Sequence, residues 1–179
     1  IGRKFQKPTV FESHTVDDNL QLAQKAPRGP FATLCAKLSK RQRAAIDETL
    51  ETIALTKQRH RMAGELSHGQ KQWLEIGMLL MQDPELLLVD EPAAGMTDAE
   101  TEKTAEMLRE IARSHSVVVV EHDMDFIGRL CDHVIVMAEG RVLTQGQMTE
   151  LRRDERVIEA YFGGGRYDPV EPSSSDHAG

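Results

Sequence analysis

Leu86-Leu87-Leu88-Val89-Asp90-Glu91-Pro92 runs four apolar residues into two carboxylates and a proline. A short apolar run bounded by Pro84 and Pro92 predicts a strand buried on both faces of a parallel sheet. Downstream, Thr97 to Arg113 has helical periodicity, and Val117 to Val120 is a second run of the same kind. Together they predict a β-α-β unit and an α/β fold. Upstream, Ser67 opens a helix that reaches about Gln82, where Asp83-Pro84 ends it.

The pattern from Phe5 to about Lys57 is mainly helical. Val16, Leu20 and Leu22 mark one segment, Ile46, Leu50 and Ile53 another, and Pro27, Gly29 and Pro30 break between them. On the other side of the β-α-β unit, a short helix from Met124 is expected. Val134 to Met137 and Val142 to Thr144 then flank Glu139-Gly140 as a hairpin, and helical pieces follow near Met148 and Val157. Beyond Gly163 the run of Gly, Pro, Ser and Asp is too polar to order itself.

The chain has 179 residues, 40% of them hydrophobic, enough to bury a core. A net charge of −7 opposes broad nucleic-acid binding, which needs clustered Lys and Arg. The run Lys37, Lys40, Arg41 and Arg43 reads as a solvated helix start. No apolar stretch approaches the roughly 20 residues that span a bilayer. Cys35 and Cys131 lack metal-like spacing, and with no signal peptide before them a reducing cytoplasm is the expected setting. Met78, Met81, Met96, Met107 and Met124 read as flexible core filler. Because the first residue is Ile1 rather than Met, the chain is expected to be a fragment.

Three motifs carry chemistry. In Leu66-Ser67-His68-Gly69-Gln70, the Ser-x-x-Gln spacing makes a capping box, and the same helix N-terminus can offer N–H groups and a positive dipole end to a phosphate. Asp90 and Glu91 are either chain-ending polar residues or, at the carboxyl end of a parallel strand, a metal-holding aspartate and a base for an attacking water. In Glu121-His122-Asp123, His122 should emerge on the same edge as Glu91, either as a structural histidine or as a donor to a terminal phosphate. Phosphoryl transfer needs this division of labour. For Thr97-Asp98-Ala99-Glu100, a second capping box, the structural reading comes first. Between Ile1 and Leu66 there is no Gly-x-x-x-x-Gly-Lys-[Ser/Thr] loop to grip a nucleotide's phosphates.

In this order and spacing, signature, carboxylate strand and histidine resemble the ATP-binding subunits of ABC transporters, over Gly2 to about Gly163. The resemblance implies a P-loop NTPase-like ABC ATPase domain with a helical subdomain, lacking its N-terminal strands and phosphate loop. It implies ATP and Mg²⁺ as ligands. Ser67, Gly69 and Gln70 match the signature, Asp90 the Walker B aspartate, Glu91 the catalytic base and His122 the switch histidine. Gln6 matches the glutamine that approaches Mg²⁺ and the attacking water. Ala94 to Thr97 occupy the D-loop, with Thr97 where many members carry Asp. Residues 1–84 would hold the glutamine loop, helical subdomain and signature helix, 85–163 the RecA-like core with Walker B and the histidine switch, and 164–179 a disordered tail.

The family likeness also implies partners: membrane permease subunits met near Phe11 to Leu22, a second ATPase subunit identical or different, and a solute-binding protein indirectly. The place is the cytoplasm, peripheral on the inner face of the plasma membrane. The wording of 2–11, 66–77 and 94–97 is similar to that of urea importers, with branched-chain amino acid importers as near neighbours and a shared ending at Val157 to Gly163. Loss of the phosphate-loop strand would bare backbone groups of neighbouring strands, so a marginal or aggregation-prone monomer is expected, inactive alone. One rival is a non-enzymatic chain that docks on a permease or an intact ATPase. Another, an ABC-type ATPase acting on DNA, is opposed by the acidic charge and the absence of long heptads around the signature.

Overall fold

The computed structural model describes residues 2, 3, 10–24 and 39–162. Gln6, Cys35, Lys37, the break at Pro27 to Pro30 and the tail beyond Gly163 lie outside them. The chain divides into two compact units, Ile1–Leu130 and Cys131–Gly179.

In the first unit, strand β1 (Gly2–Arg3), β2 (Leu86–Asp90) and β3 (Ser116–Val120) form a parallel sheet in that order, with Leu87 beside Val117 and Asp90 beside Val120. Four helices accompany it: α1 (Val16–Ala23), α2 (Lys40–Thr52), α3 (His68–Leu80) and α4 (Asp98–Ile111), with the short α5 (Met124–Leu130) after β3. The expected β-α-β unit is β2, α4 and β3. Strand β1 was not anticipated, since two residues carry no pattern and only pairing with β2 makes them a strand.

Each of the four longer helices begins on a capping box: Thr15 with Asp18, Ser39 with Gln42, Ser67 with Gln70, and Thr97 with Glu100. Their apolar stripes meet in one cluster that includes Val16, Leu20, Ile46, Leu50, Ile53, Trp73, Leu74, Ile76, Leu87, Val89 and Leu108. Buried Asn19 holds the loop before α1, accepting from Phe11 N at 2.8 Å and donating to Phe11 O at 3.1 Å and Thr15 O at 2.9 Å. Trp73 Nε1 donates to Thr104 Oγ1 at 2.8 Å and so ties α3 to α4. Lys40, Arg41 and Arg43 are exposed at the start of α2.

Leu22, on the same segment as Val16 and Leu20, is 59% exposed, because two residues past Leu20 it lies on the side of α1 away from the buried Val16, Asn19 and Leu20. The strands were expected to be buried on both faces. Leu87 and Val89 on one face are buried, but Val118 and Val120 on the other are 46% and 59% exposed. Helices pack on the side that carries Leu87 and Val89, while Val118 and Val120 on the other side are largely open to solvent.

The second unit pairs β4 (Val134–Ala138) with β5 (Arg141–Gly146) antiparallel, followed by α6 (Met148–Leu151) and α7 (Glu155–Phe162). Glu139 (φ 50°) and Gly140 (φ 76°) make its two-residue turn, and positive φ at both positions suits the right-handed twist of a hairpin. No helix among the described residues is long and apolar enough to cross a membrane.

Candidate functional site

Helix α3 starts at the signature. Ser67 Oγ accepts from Gln70 N at 3.2 Å, and Ser67 N donates to Gln70 Oε1 at 3.2 Å, which closes the box. The hydroxyl proton goes elsewhere, to Glu100 Oε1 at 2.8 Å. The other oxygen of Glu100 accepts from the N–H and the hydroxyl of Thr97, each at 3.1 Å. The Thr97 backbone N–H and, after it, the Ser67 hydroxyl hold the Glu100 carboxyl below the usual glutamate range. Ser67, Gly69 and Gln70 therefore stand together, as the sequence predicts, with a carboxylate over them that the sequence did not announce.

The segment between β2 and α4 packs on this helix start. Gln72 Nε2 lies 2.9 Å from His68 Nε2 and donates to Ala94 O at 3.3 Å. A Cβ at Gly95, whose φ is +70°, would touch the His68 ring at 3.4 Å.

Asp90 ends β2, and Glu91 turns the chain with φ of +46°, a left-handed conformation that costs a non-glycine residue on the order of 1 kcal/mol or more. A hydrogen bond from Glu91 N to Val120 O at 2.8 Å holds it there. Its carboxylate comes within 3.8 Å of His122 Nδ1. His122 follows the end of β3 with its side chain 74% exposed, so both groups share the carboxyl edge of the parallel sheet, facing solvent. Asp123 then caps α5, accepting from Asp125 N at 2.9 Å and Phe126 N at 3.0 Å.

Nothing in the sequence around Glu121 marks it for a role. Its side chain is 2% exposed and accepts from Ala93 N at 3.2 Å, His122 N at 2.8 Å and Asp123 N at 3.4 Å. A glutamate leaving an apolar strand reads as solvent-facing, so its pattern held no signal of this. Through Ala93 it fixes the start of the segment that lies on the signature, and through His122 it fixes the histidine. Gln6 lies outside the described residues.

Among the described residues no three or more His, Cys, Asp or Glu side chains converge as a metal cage. Asp90 fits a Mg²⁺ that keeps most of its waters and takes its other ligands from phosphates. The edge can therefore orient a water, accept its proton at Glu91 and donate from His122, and the helix start at Ser67 can receive an anion.

The family model described as ABC transporter matches residues 1–94. The chain is 34% identical over 172 residues to the high-affinity branched-chain amino acid transport ATP-binding protein BraF of Pseudomonas aeruginosa, covering 91% of this chain and 68% of that one. Its identity and coverage are the same with LivG of Escherichia coli, which bears the same description. The methionine import ATP-binding protein MetN of Pasteurella multocida is 31% identical, over 84% of this chain and 42% of its own. The fold is similar to the ADP conformation of an ATP-binding cassette of an ABC transporter, with TM-score 0.75 and 29% identity over 90% of this chain and 68% of that one. CbiO1 of Clostridium perfringens, part of an ABC transporter complex, superposes with TM-score 0.72 and 28% identity, covering 88% and 61%.

Proposed function

The chain belongs to the ABC transporter family of ATP-hydrolysing transport ATPases, as an ATP-binding subunit of the branched-chain amino acid importer type, and from that premise we propose roles for its residues. Glu91 orients the attacking water and takes its proton on the carboxylate. His122 donates a hydrogen bond to the terminal phosphate and keeps the Glu91 carboxylate in register. Asp90 and Gln6 would hold Mg²⁺, which would supply charge neutralisation on the phosphate oxygens. Ser67, Gly69 and Gln70 bind the terminal phosphate of a nucleotide gripped by the phosphate loop of a second subunit. The approach of Glu91 to His122, 3.8 Å at the shared edge of β2 and β3, carries this reading.

Subunits of this family work with membrane permeases and as dimers, and we place this one peripherally on the cytoplasmic face. The exposed Phe11 and Leu22 at either end of the α1 region support permease docking there. In the assembled transporter, Glu91→Gln should keep ATP binding and lower hydrolysis by about 10²–10⁴-fold. Unchanged turnover would remove Glu91 from the base role.

For the solute we propose urea, supported by the wording of 66–77 and 94–97. The relatives named above carry branched-chain amino acids or methionine in their descriptions. Deleting the gene should abolish growth at low urea as sole nitrogen source, and normal growth there with lost leucine uptake would reassign the solute.

A further inference from the structure

We propose that Glu100 is a positioning residue that competes with the nucleotide's terminal phosphate for the hydroxyl of Ser67, so that the signature engages phosphate only as the Glu100 carboxylate withdraws. The inference rests on the reading of Ser67 as a phosphate ligand. A serine hydroxyl has one proton to give and lone pairs to accept with. Here the oxygen accepts from Gln70 N, and the proton is given to Glu100 Oε1 at 2.8 Å. A phosphate has no proton to give back at neutral pH, so it can take Ser67 only by replacing Glu100. Two anions cannot share one donor without repulsion.

The arrangement is shaped for this contact. A Cβ at Gly69 would lie 2.8 Å from both Glu100 Cδ and Glu100 Oε1, so only glycine lets the carboxylate rest on the turn. The remaining oxygen of Glu100 stays on Thr97 N and Oγ1 at 3.1 Å. The carboxylate can thus release Ser67 and still cap α4. Its ionised state is supported by the Thr97 and Ser67 hydrogen bonds that hold its titration low. Because Thr97 closes the segment 93–97 that packs on His68 and Gln72, occupancy of the signature and the position of that segment are coupled through one side chain.

The test is a double-mutant cycle in the assembled transporter, with Glu100→Gln, Ser67→Ala and both, reading KM for ATP, kcat and the melting temperature. A glutamine can donate to Ser67 Oγ, which frees the serine proton, and can still cap Thr97. We expect Glu100→Gln to lower KM by roughly five- to tenfold, the difference between a charged and a neutral acceptor, with a smaller change in kcat and an unmoved melting temperature. Glu100→Asp, one methylene shorter, keeps charge and cap but cannot span both partners, and should also lower KM. In the Ser67→Ala background the glutamine should change KM no further. An unchanged or raised KM in both Glu100 variants, or a drop that persists without the serine, overturns the competition. If Ser67→Ala itself leaves KM unmoved, the phosphate role of Ser67 falls, and the competition with it. A raised KM in Ser67→Ala with no drop in either Glu100 variant overturns the competition alone.

Discussion

Glu121 is a carboxylate at 2% exposure that takes hydrogen bonds from three backbone N–H groups on two different segments. Burying such a charge is tolerable only with donors of this kind, and removing it strands them. Glu121→Ala should therefore lower stability by about 1–3 kcal/mol and reduce turnover in the transporter, through the loosened His122 and Ala93. Chemical denaturation and steady-state hydrolysis check this, and a variant with normal stability and turnover would show that the loop is held by other contacts. Asp90, Glu91 and His122 were legible from the sequence because apolar runs of fixed length place their following residues on one edge of a parallel sheet. Glu121 and the second partner of Glu100 were not. A glutamate's spacing is the same whether it faces water or folds back onto backbone N–H groups, and only the packed chain decides.

Four helices open on the same local device, and for Thr15 and Ser39 it is a helix start without a further reading. Ser67 differs in what stands beyond it, the Glu100 carboxylate from another helix. A capping motif therefore marks where a helix begins but cannot say which helix start binds a ligand. Gly77 shows the reverse case, where packing overrides propensity. Alanine in a helix interior is worth about 1 kcal/mol over glycine. At Gly77, however, a Cβ would lie 2.6 Å from Ile53 Cδ1, 3.1 Å from Leu20 Cδ2 and 3.3 Å from Thr49 Cγ2. Three side chains from α1, α2 and the residue just past it would all have to move, at an overpacking cost of about 1–3 kcal/mol. Gly77→Ala should be neutral to destabilising by thermal melt, and a rise in melting temperature would show that the junction has slack. Leu22 is exposed for a simpler reason: two residues past Leu20, it lies on the side of α1 away from the core.

At the scale of the whole molecule, one face of the parallel sheet carries Val118 and Val120 toward solvent, and the hairpin unit separately exposes Ile135, Met137 and Val142. Exposed strands of β-branched residues with unpaired backbone groups are templates for association. The isolated chain should self-associate at micromolar concentration in sedimentation velocity, and Val118→Thr with Val120→Thr should shift it toward monomer. A cooperative, monomeric melt of the unmodified chain would overturn this expectation of a marginal fold.

Residue spacing alone carries the β-α-β unit, the hairpin at Glu139-Gly140 and the helix starts at Ser67 and Thr97, because these follow from periods of two, three and four residues along a regular backbone, and the order of the motifs carries the family. Only packing makes β1 a strand, leaves Val118 and Val120 exposed, turns Glu121 inward and brings Glu100 onto Ser67. Those outcomes depend on residues up to 85 positions apart meeting at a few ångströms, and no local pattern encodes a meeting of that kind.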